Sequence, residues 1–193
     1  MCIRDSDTLP SSACINAGAN HGNGFFPTAY SPIPILNPNT GLRNIRTRGG
    51  SEALSQRLAL SEKLSSFFSA RFPDPQVKSY REFYDNTLRL LRSKDLDSFD
   101  LNKESSAMRE KYGMGKFGQG CLLARRLVET GVRYVEVSTD GWDMHNNLES
   151  EMQDLSPAFD QAYAALISDL DDRGMLDDTC LLYTSDAADD ITG

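Results

Sequence analysis

The last third of the chain alternates between helical and strand patterns, and this alternation constrains the fold more than any other feature. One helical face ends at Gly131 and carries apolar residues at helical spacing: Phe117, Cys121, Ala124 and Val128. Residues 132–137 are rich in β-branched side chains and predict a strand. A second helical face follows, with Pro157 near its first turn and Gly174 just past its end: Phe159, Ala162, Tyr163, Leu166, Ile167 and Leu170. Helix, strand and helix in this order predict an α/β fold with a parallel sheet covered by helices.

The segments before this unit follow other patterns. Residues 7–50 are interrupted by Gly and Pro throughout, so we expect a loop-rich stretch with short extended pieces. Residues 51–70 and 74–92 predict an antiparallel helix pair, and residues 103–112 predict a third helix capped by Asn102. We therefore expect one domain over residues 7–179, with a loop-rich part at 7–50, a helical part at 51–112 and an α/β part at 113–179. A further strand should begin near Thr179.

Both ends of the chain resemble translated adapter DNA. Residues 1–6 can be written as ATG TGT ATA AGA GAC AG plus one base, which resembles the transposon end used to prepare sequencing libraries. Residues 180–185 can be written as TGT CTC TTA TAC ACA TCT, which is the complementary strand of the same element. One DNA element on opposite strands at opposite ends is hard to obtain by chance. We therefore expect residues 1–6 and 180–193 to be adapter-derived and the chain between them to be a fragment.

The composition argues against two classes of partner. The chain carries 28 Asp and Glu against 20 Lys and Arg, a net charge of −8, whereas a nucleic-acid binder needs a basic stripe. No apolar run approaches the ~20 residues of a membrane-spanning helix. Only Cys14 and Cys121 lie between the two terminal segments, and their spacing predicts neither a zinc knuckle nor a disulfide framework.

Three further groups of polar residues are interpreted as structural. Arg125, Arg126 and Arg133 are too few for a phosphate-binding surface, and we expect them to lie over the sheet or to pair with Glu129 and Glu136. An acidic group lacks the spacing of an EF-hand loop and predicts a solvated helix end: Asp169, Asp171, Asp172, Asp177 and Asp178. His21 lies among Gly and Asn residues and is interpreted as an exposed histidine in a turn.

The segment most suited to chemistry follows the predicted strand at residues 139–147. Residues two apart in an extended chain point the same way, so Asp143 and His145 can present a carboxylate oxygen and an imidazole nitrogen to one point. Such a mixed pair suits zinc, manganese or iron better than calcium. Trp142 and Asn146 flank the pair and are candidate substrate contacts. The alternative is that Asp143 and His145 only hydrogen-bond each other or cap the next helix.

Several motifs in order resemble one bacterial family, called domain of unknown function 1501. The resemblance is carried by Phe-Gly-Gln at residues 117–119, Leu-Leu-Ala-Arg-Arg-Leu-Val-Glu at 122–129, Gly-Val-Arg at 131–133, Trp-Asp-Met-His at 142–145 and Asp-Leu-Asp-Asp-Arg-Gly-Met-Leu-Asp-Asp-Thr at 169–179. It is strong over residues 117–179 and weaker over residues 24–30. The family is sulfatase-like and belongs to the alkaline phosphatase superfamily.

This resemblance implies a fragment of an alkaline-phosphatase-like α/β sandwich with a two-metal site that cleaves phosphate or sulfate esters. The family's Trp-Asp-x-His motif falls on Trp142, Asp143 and His145, so Asp143 and His145 would bind one divalent metal, zinc or manganese. A small-molecule ester substrate and an exported, periplasmic or extracellular, parent protein are implied as well. Because other site segments are missing, we expect the fragment itself to be inactive. The alternative is a noncatalytic binding or export-associated protein that uses the same fold.

Overall fold

The structure is a computed structural model that describes residues 8–17, 24–43, 45 and 50–183. The interpretation of His21 and the adapter interpretation of residues 1–6 fall outside this range, as does the part of the C-terminal segment beyond Tyr183. Within the described residues, the α/β architecture with a parallel sheet is confirmed. None of the described helices is long and apolar enough to cross a membrane.

Within the described residues, three short parallel strands form the sheet, and two of them come from the loop-rich part. The strands are β1 (Ser12–Ile15), β2 (Ile33–Ile35) and β3 (Tyr134–Val137), in the order β2-β1-β3. The register places Ser12 opposite Tyr134, and Ile15 opposite both Ile35 and Val137. The strand predicted at residues 132–137 therefore begins two residues later and pairs with a strand more than a hundred residues earlier in the chain.

The predicted helix pair is present as α1 (Gly50–Arg71) and α2 (Pro75–Arg92). The side chain of Asp74 caps α2, because its Oδ1 accepts a hydrogen bond from the backbone N–H of Gln76 at 2.7 Å. Pro75 at the first helical position has no N–H to leave unsatisfied. An exposed salt bridge between Arg81 and Glu62 joins the two helices.

The third helix is shorter than predicted, and its predicted cap is wrong. Helix α3 spans Ser106–Tyr112, and its cap is Ser105, whose hydroxyl accepts a hydrogen bond from the N–H of Met108 at 3.1 Å. Asn102 instead lies in a short 3-10 helix, Leu101–Lys103, after a second one at Lys94–Phe99. Asn102 is engaged in the preceding turn instead, because its backbone N–H and its side-chain amide both donate to Oδ1 of Asp100, at 3.0 Å and 2.9 Å.

Helices α4 (Lys116–Thr130) and α5 (Leu148–Asp172) flank β3 in the chain. Gly131 ends α4 in the left-handed conformation, with φ of 111°, as predicted. Pro157 lies inside α5 rather than in its first turn, because the helix begins nine residues before it. The strand expected near Thr179 is not formed in the described residues up to Tyr183, where a 3-10 helix at Leu176–Asp178 gives way to irregular chain.

The core lies between one face of the sheet and α4. Ala13, Ile15 and Ile35 project from β1 and β2 into this core, and Leu122, Leu123 and Leu127 meet them from α4. Gly120 makes the close approach feasible, because a Cβ there would lie 2.9 Å from Cγ1 of Val137 and 3.0 Å from Nδ2 of Asn16. The close contact at Gly120 thereby fixes the position of α4 on the sheet.

Candidate functional site

The loop that carries the predicted site begins at the carboxyl edge of the sheet. The backbone N–H of Ser138, the first residue after β3, donates to the carbonyl oxygen of Ile15 at 2.9 Å. The loop turns at Gly141, where φ is 93°, and it ends at Asn147, where φ is 51°. A Cβ at Gly141 would lie 3.3 Å from Cδ1 of Leu155, so the loop passes close to α5. The predicted location at a strand end, where open parallel sheets bind ligands, is therefore observed.

Asp143 and His145 point toward each other. Oδ1 of Asp143 lies 2.6 Å from Nε2 of His145, and the two side chains are 70% and 79% exposed, respectively. The backbone between them is tightly turned rather than extended, since the N–H of Met144 donates to the carbonyl oxygen of Trp142 at 3.1 Å. The pair therefore offers one oxygen and one nitrogen donor at a single exposed point. The same contact is what a simple hydrogen-bonded pair would make.

Trp142 is half-buried and packs against α5. Its ring meets the ring of Phe159 edge-on, with centroids 5.4 Å apart and an interplanar angle of 75°. Phe159 in turn stacks on Phe117 of α4 at 5.3 Å and on Tyr163 at 5.7 Å. Edge-to-face and offset contacts of this kind are favourable arrangements for aromatic rings. Trp142 thus anchors the loop to Phe159 on α5, a role that the sequence pattern had not suggested.

The other predicted contact, Asn146, is exposed beside the pair, and its role stays a prediction. Within the described part of the chain, no group of three or more His, Cys, Asp and Glu side chains is placed to hold a metal ion. A cavity of about 490 Å³ lies elsewhere, between the turn at Gly41 and the segment from Phe99 to Asn102, and no predicted site residue lines it. The candidate site is therefore an open surface rather than a closed pocket.

A buried ion-pair network between α4 and α5 was not anticipated. Arg125 on α4 is 2% exposed and Asp169 on α5 is 2% exposed, and Nε of Arg125 lies 2.8 Å from Oδ2 of Asp169, close enough for an ion pair although the N–H is not aligned for a hydrogen bond. Arg125 also contacts Glu104 at 2.9 Å and Glu129 at 2.7 Å. Of the two alternatives expected for Arg125, the pairing with Glu129 is confirmed.

Asp169 is not part of a solvated helix end, which corrects the interpretation of the acidic group. The hydroxyl of Tyr112 donates to its Oδ2 at 2.9 Å, and Nε of Arg173 donates to its Oδ1 at 2.7 Å. Burial alone would raise the pKa of Asp169, but the hydrogen bond from Arg173 and the charge of Arg125 outweigh it and lower the pKa below the ordinary value. Asp171, by contrast, is exposed as expected.

The chain matches one protein family over residues 2–186, a family described as Protein of unknown function (DUF1501). The chain belongs to this family. The matched range includes residues 2–6 of the first terminal segment and residues 180–186 of the second, and the adapter origin of both segments stays a prediction. Searches of curated proteins and of solved structures returned no match. Membership therefore fixes the family of the chain but brings no described activity with it.

Proposed function

We propose that this chain is part of a metal-dependent hydrolase of phosphate or sulfate esters, in which Asp143 and His145 are two ligands of a zinc or manganese ion. The observation that carries the proposal is the convergence of Oδ1 of Asp143 and Nε2 of His145, 2.6 Å apart on an exposed loop. The loop leaves the carboxyl edge of a parallel sheet, where ligands of such folds bind. The superfamily likeness of the Trp-Asp-x-His motif at residues 142–145 supplies the reaction class.

The donor pair fits a divalent ion in chemical type. Zinc takes nitrogen and oxygen donors at about 2.0–2.1 Å, and two ligands of a tetrahedral ion lie about 3.3 Å apart. The contact between Asp143 and His145 would have to open by less than 1 Å, and both side chains are mostly exposed and free to rotate. Two donors do not complete a metal shell. We infer that the remaining ligands come from parts of the protein outside the described residues.

Charge provides a second argument for a metal. The chain has a net charge of −8, and the carboxylate of Asp143 faces solvent at the site. An anionic phosphate or sulfate ester would be repelled by this surface unless a cation reversed the local charge. A bound divalent ion supplies that reversal and stabilises the negative charge that develops on the ester oxygens during hydrolysis.

The decisive test uses the full-length parent protein. Purified enzyme is loaded with zinc or manganese and assayed with p-nitrophenyl phosphate and p-nitrophenyl sulfate, and its metal content is measured by mass spectrometry. We expect Asp143→Asn and His145→Ala each to lower both metal content and rate by at least ~10-fold, as loss of a metal ligand should do. Asp140→Asn is the matched control, because Asp140 is exposed on the same loop but outside the pair. Unchanged activity and metal content in both site variants would refute the proposal.

A noncatalytic binding or export-associated protein is the second candidate function. One observation favours it: Asp143 and His145 already satisfy each other, and within the described residues no third metal-binding side chain joins them. Half-buried Trp142 and exposed Asn146 would then form part of a recognition surface. A full-length protein that binds no metal at stoichiometric levels and hydrolyses neither ester would support this function. Export of the parent protein is proposed from the family resemblance alone.

A further inference from the structure

Phe159 on α5 is the residue at which the ring contacts around the candidate site meet. Its ring lies nearly parallel to two neighbours, with interplanar angles of 16° to Phe117 on α4 and 11° to Tyr163 one turn later on α5. The ring of Trp142 meets it edge-on at 5.4 Å, and all four side chains are half-buried. Phe159 thus links the ring packing of α4 and α5 to the loop at residues 139–147.

The loop is attached to α5 at the two residues just before the donor pair. Trp142 makes its ring contact with Phe159, and the preceding Gly141 passes so close to Leu155 that a Cβ at Gly141 would lie 3.3 Å from Cδ1 of Leu155. Leu155 and Phe159 are four positions apart and therefore lie on the same face of the helix. One face of α5 thus contacts two consecutive residues of the loop.

The backbone connects this attachment directly to Asp143. The carbonyl oxygen of Trp142 accepts a hydrogen bond from the N–H of Met144 at 3.1 Å, which closes a tight turn around Asp143. His145 follows this turn, and the chain enters α5 at its N-cap residue, Asn147. Both donors therefore lie on a short span between two attachments to the same helix.

We propose that Phe159 is a positioning residue for the donor pair: through Trp142 it holds the turn in which Oδ1 of Asp143 and Nε2 of His145 lie 2.6 Å apart. This proposal rests on the proposed function, because it concerns how two metal ligands are presented. The donor side chains are 70% and 79% exposed, so their own packing restrains them little. A nearby anchor that orders the loop in advance lowers the conformational entropy that is lost when an ion binds.

The contact between Phe159 and Trp142 sets the size of the expected effect. An aromatic pair of this geometry contributes a free energy that corresponds to a factor of about 2 to 10 in an equilibrium constant. Without the contact, the fraction of chains that hold both donors in place falls by at most that factor. The apparent dissociation constant for the ion rises by the same factor. We therefore expect metal binding to weaken by about 2- to 10-fold.

The first test uses the fluorescence of the purified 193-residue chain, in which Trp142 is the single tryptophan. Phe159→Leu should shift the emission maximum to longer wavelength and raise the acrylamide quenching constant, because the indole ring loses an aromatic neighbour. Tyr163→Leu is the matched control, because Tyr163 stacks on Phe159 at 5.7 Å but has no ring contact with Trp142 among the described residues. Phe159→Tyr keeps the ring and should behave as the wild type. Far-UV circular dichroism checks that each variant keeps its helices.

The second test measures binding of Mn²⁺ alone to the full-length parent protein by electron paramagnetic resonance. Phe159→Leu and Trp142→Leu should each raise the dissociation constant by about 2- to 10-fold, whereas Tyr163→Leu should leave it unchanged. The double variant of Phe159 and Trp142 should raise it by about the same factor as either single variant, because both changes remove the same contact. Trp142→Leu also provides a result if Phe159→Leu disturbs the helices, because it leaves the rings on α4 and α5 stacked.

The Mn²⁺ measurement distinguishes failure of the positioning role from failure of the proposed function. If the wild type binds no Mn²⁺, or if Asp143→Asn binds it as tightly as the wild type, the proposed function is wrong and the positioning role falls with it. If Asp143→Asn weakens binding but neither Phe159→Leu nor Trp142→Leu does, only the positioning role is wrong. It is also overturned if the two single factors multiply in the double variant, or if Phe159→Leu leaves the fluorescence of Trp142 unchanged.

Discussion

The buried pair between Arg125 and Asp169 offers the sharpest test of how α4 and α5 are held together. Arg125→Met removes the guanidinium but keeps a long apolar side chain, so the change concerns charge more than volume. Loss of one partner from a buried ion pair typically costs about 3–5 kcal/mol, because the other charge stays buried without compensation. Asp169 keeps Arg173 and Tyr112 as partners. We therefore expect the lower end of that range, about 3 kcal/mol.

The assay is urea unfolding followed by circular dichroism at 222 nm, with Arg81→Met as the matched control. Arg81 forms an exposed pair with Glu62, with side chains 37% and 59% exposed, so its loss should cost less than about 1 kcal/mol. The double variant Arg125→Met with Asp169→Leu removes both charges together. Its cost should fall short of the sum of the two single costs by about 1–3 kcal/mol, since the two side chains interact directly.

Two results would refute the reasoning about this pair. If Arg125→Met lowered the free energy of unfolding by less than about 1 kcal/mol, the pair would contribute no more than an exposed salt bridge does, although the Arg125 side chain is only 1% exposed. If the loss of stability in the double variant equalled the sum of the two single losses, the two side chains would have no interaction energy with each other. Either outcome would mean that the pair between Arg125 and Asp169 contributes little to holding α4 against α5.

Three further predictions follow from the structure. Burial raises the pKa of Asp169, but Arg173 and Arg125 outweigh it and lower the pKa, so the charge of Asp169 stabilises the fold above the ordinary pKa of 3.8 and this stabilisation is lost as the pH falls through the lower folded pKa. The urea midpoint should therefore fall more steeply from about pH 4 to 2 in the wild type than in Asp169→Asn. Burial raises the pKa of Cys121 to about 12, so iodoacetamide at about pH 8 should alkylate exposed Cys180 first, and equal labelling in the folded chain would contradict this. Gly118→Ala should lower the free energy of unfolding by about 3 kcal/mol or more, because its Cβ would lie 2.1 Å from the carbonyl oxygen of Tyr112. By the same unfolding assay, Gly115→Ala should lower it by less than about 1 kcal/mol, because a Cβ there meets nothing within 4 Å and only the N-cap position of α4 disfavours alanine.

The sequence predicted the helix-strand-helix unit because its signals are local. Apolar spacing, a β-branched run and Gly131 at the helix end each act within a few residues, and the structure has α4, β3 and α5 in the predicted order. The sequence pattern did not distinguish the central strand β1 from the loop-rich stretch around it. It has four residues, Ser12–Ile15, and its pairing with β3 spans more than a hundred residues. Parallel pairing over such a distance has no signature in neighbouring residues.

The same distinction holds for charged residues. The Asp143 and His145 pair was found because the two residues are two positions apart, although a tight turn rather than an extended chain brings them together. Asp169 was misjudged because an acidic residue near a helix end is usually exposed. Its partner Arg125 lies 44 positions earlier, on the opposite helix, and only the packing of α4 on α5 reveals the pair.

The loop with Asp143 and His145 owes its position to helix packing as much as to the sheet. The N–H of Ser138 fixes its start to β1, and the Trp142 ring fixes its middle to Phe159 on α5. Helix α5 is in turn tied to α4 at its far end through Asp169. A change in the α4 and α5 contact should therefore displace Trp142 before it disturbs the strands. Asp143 and His145 lie on the part of the loop beyond this anchor, where both side chains are mostly exposed.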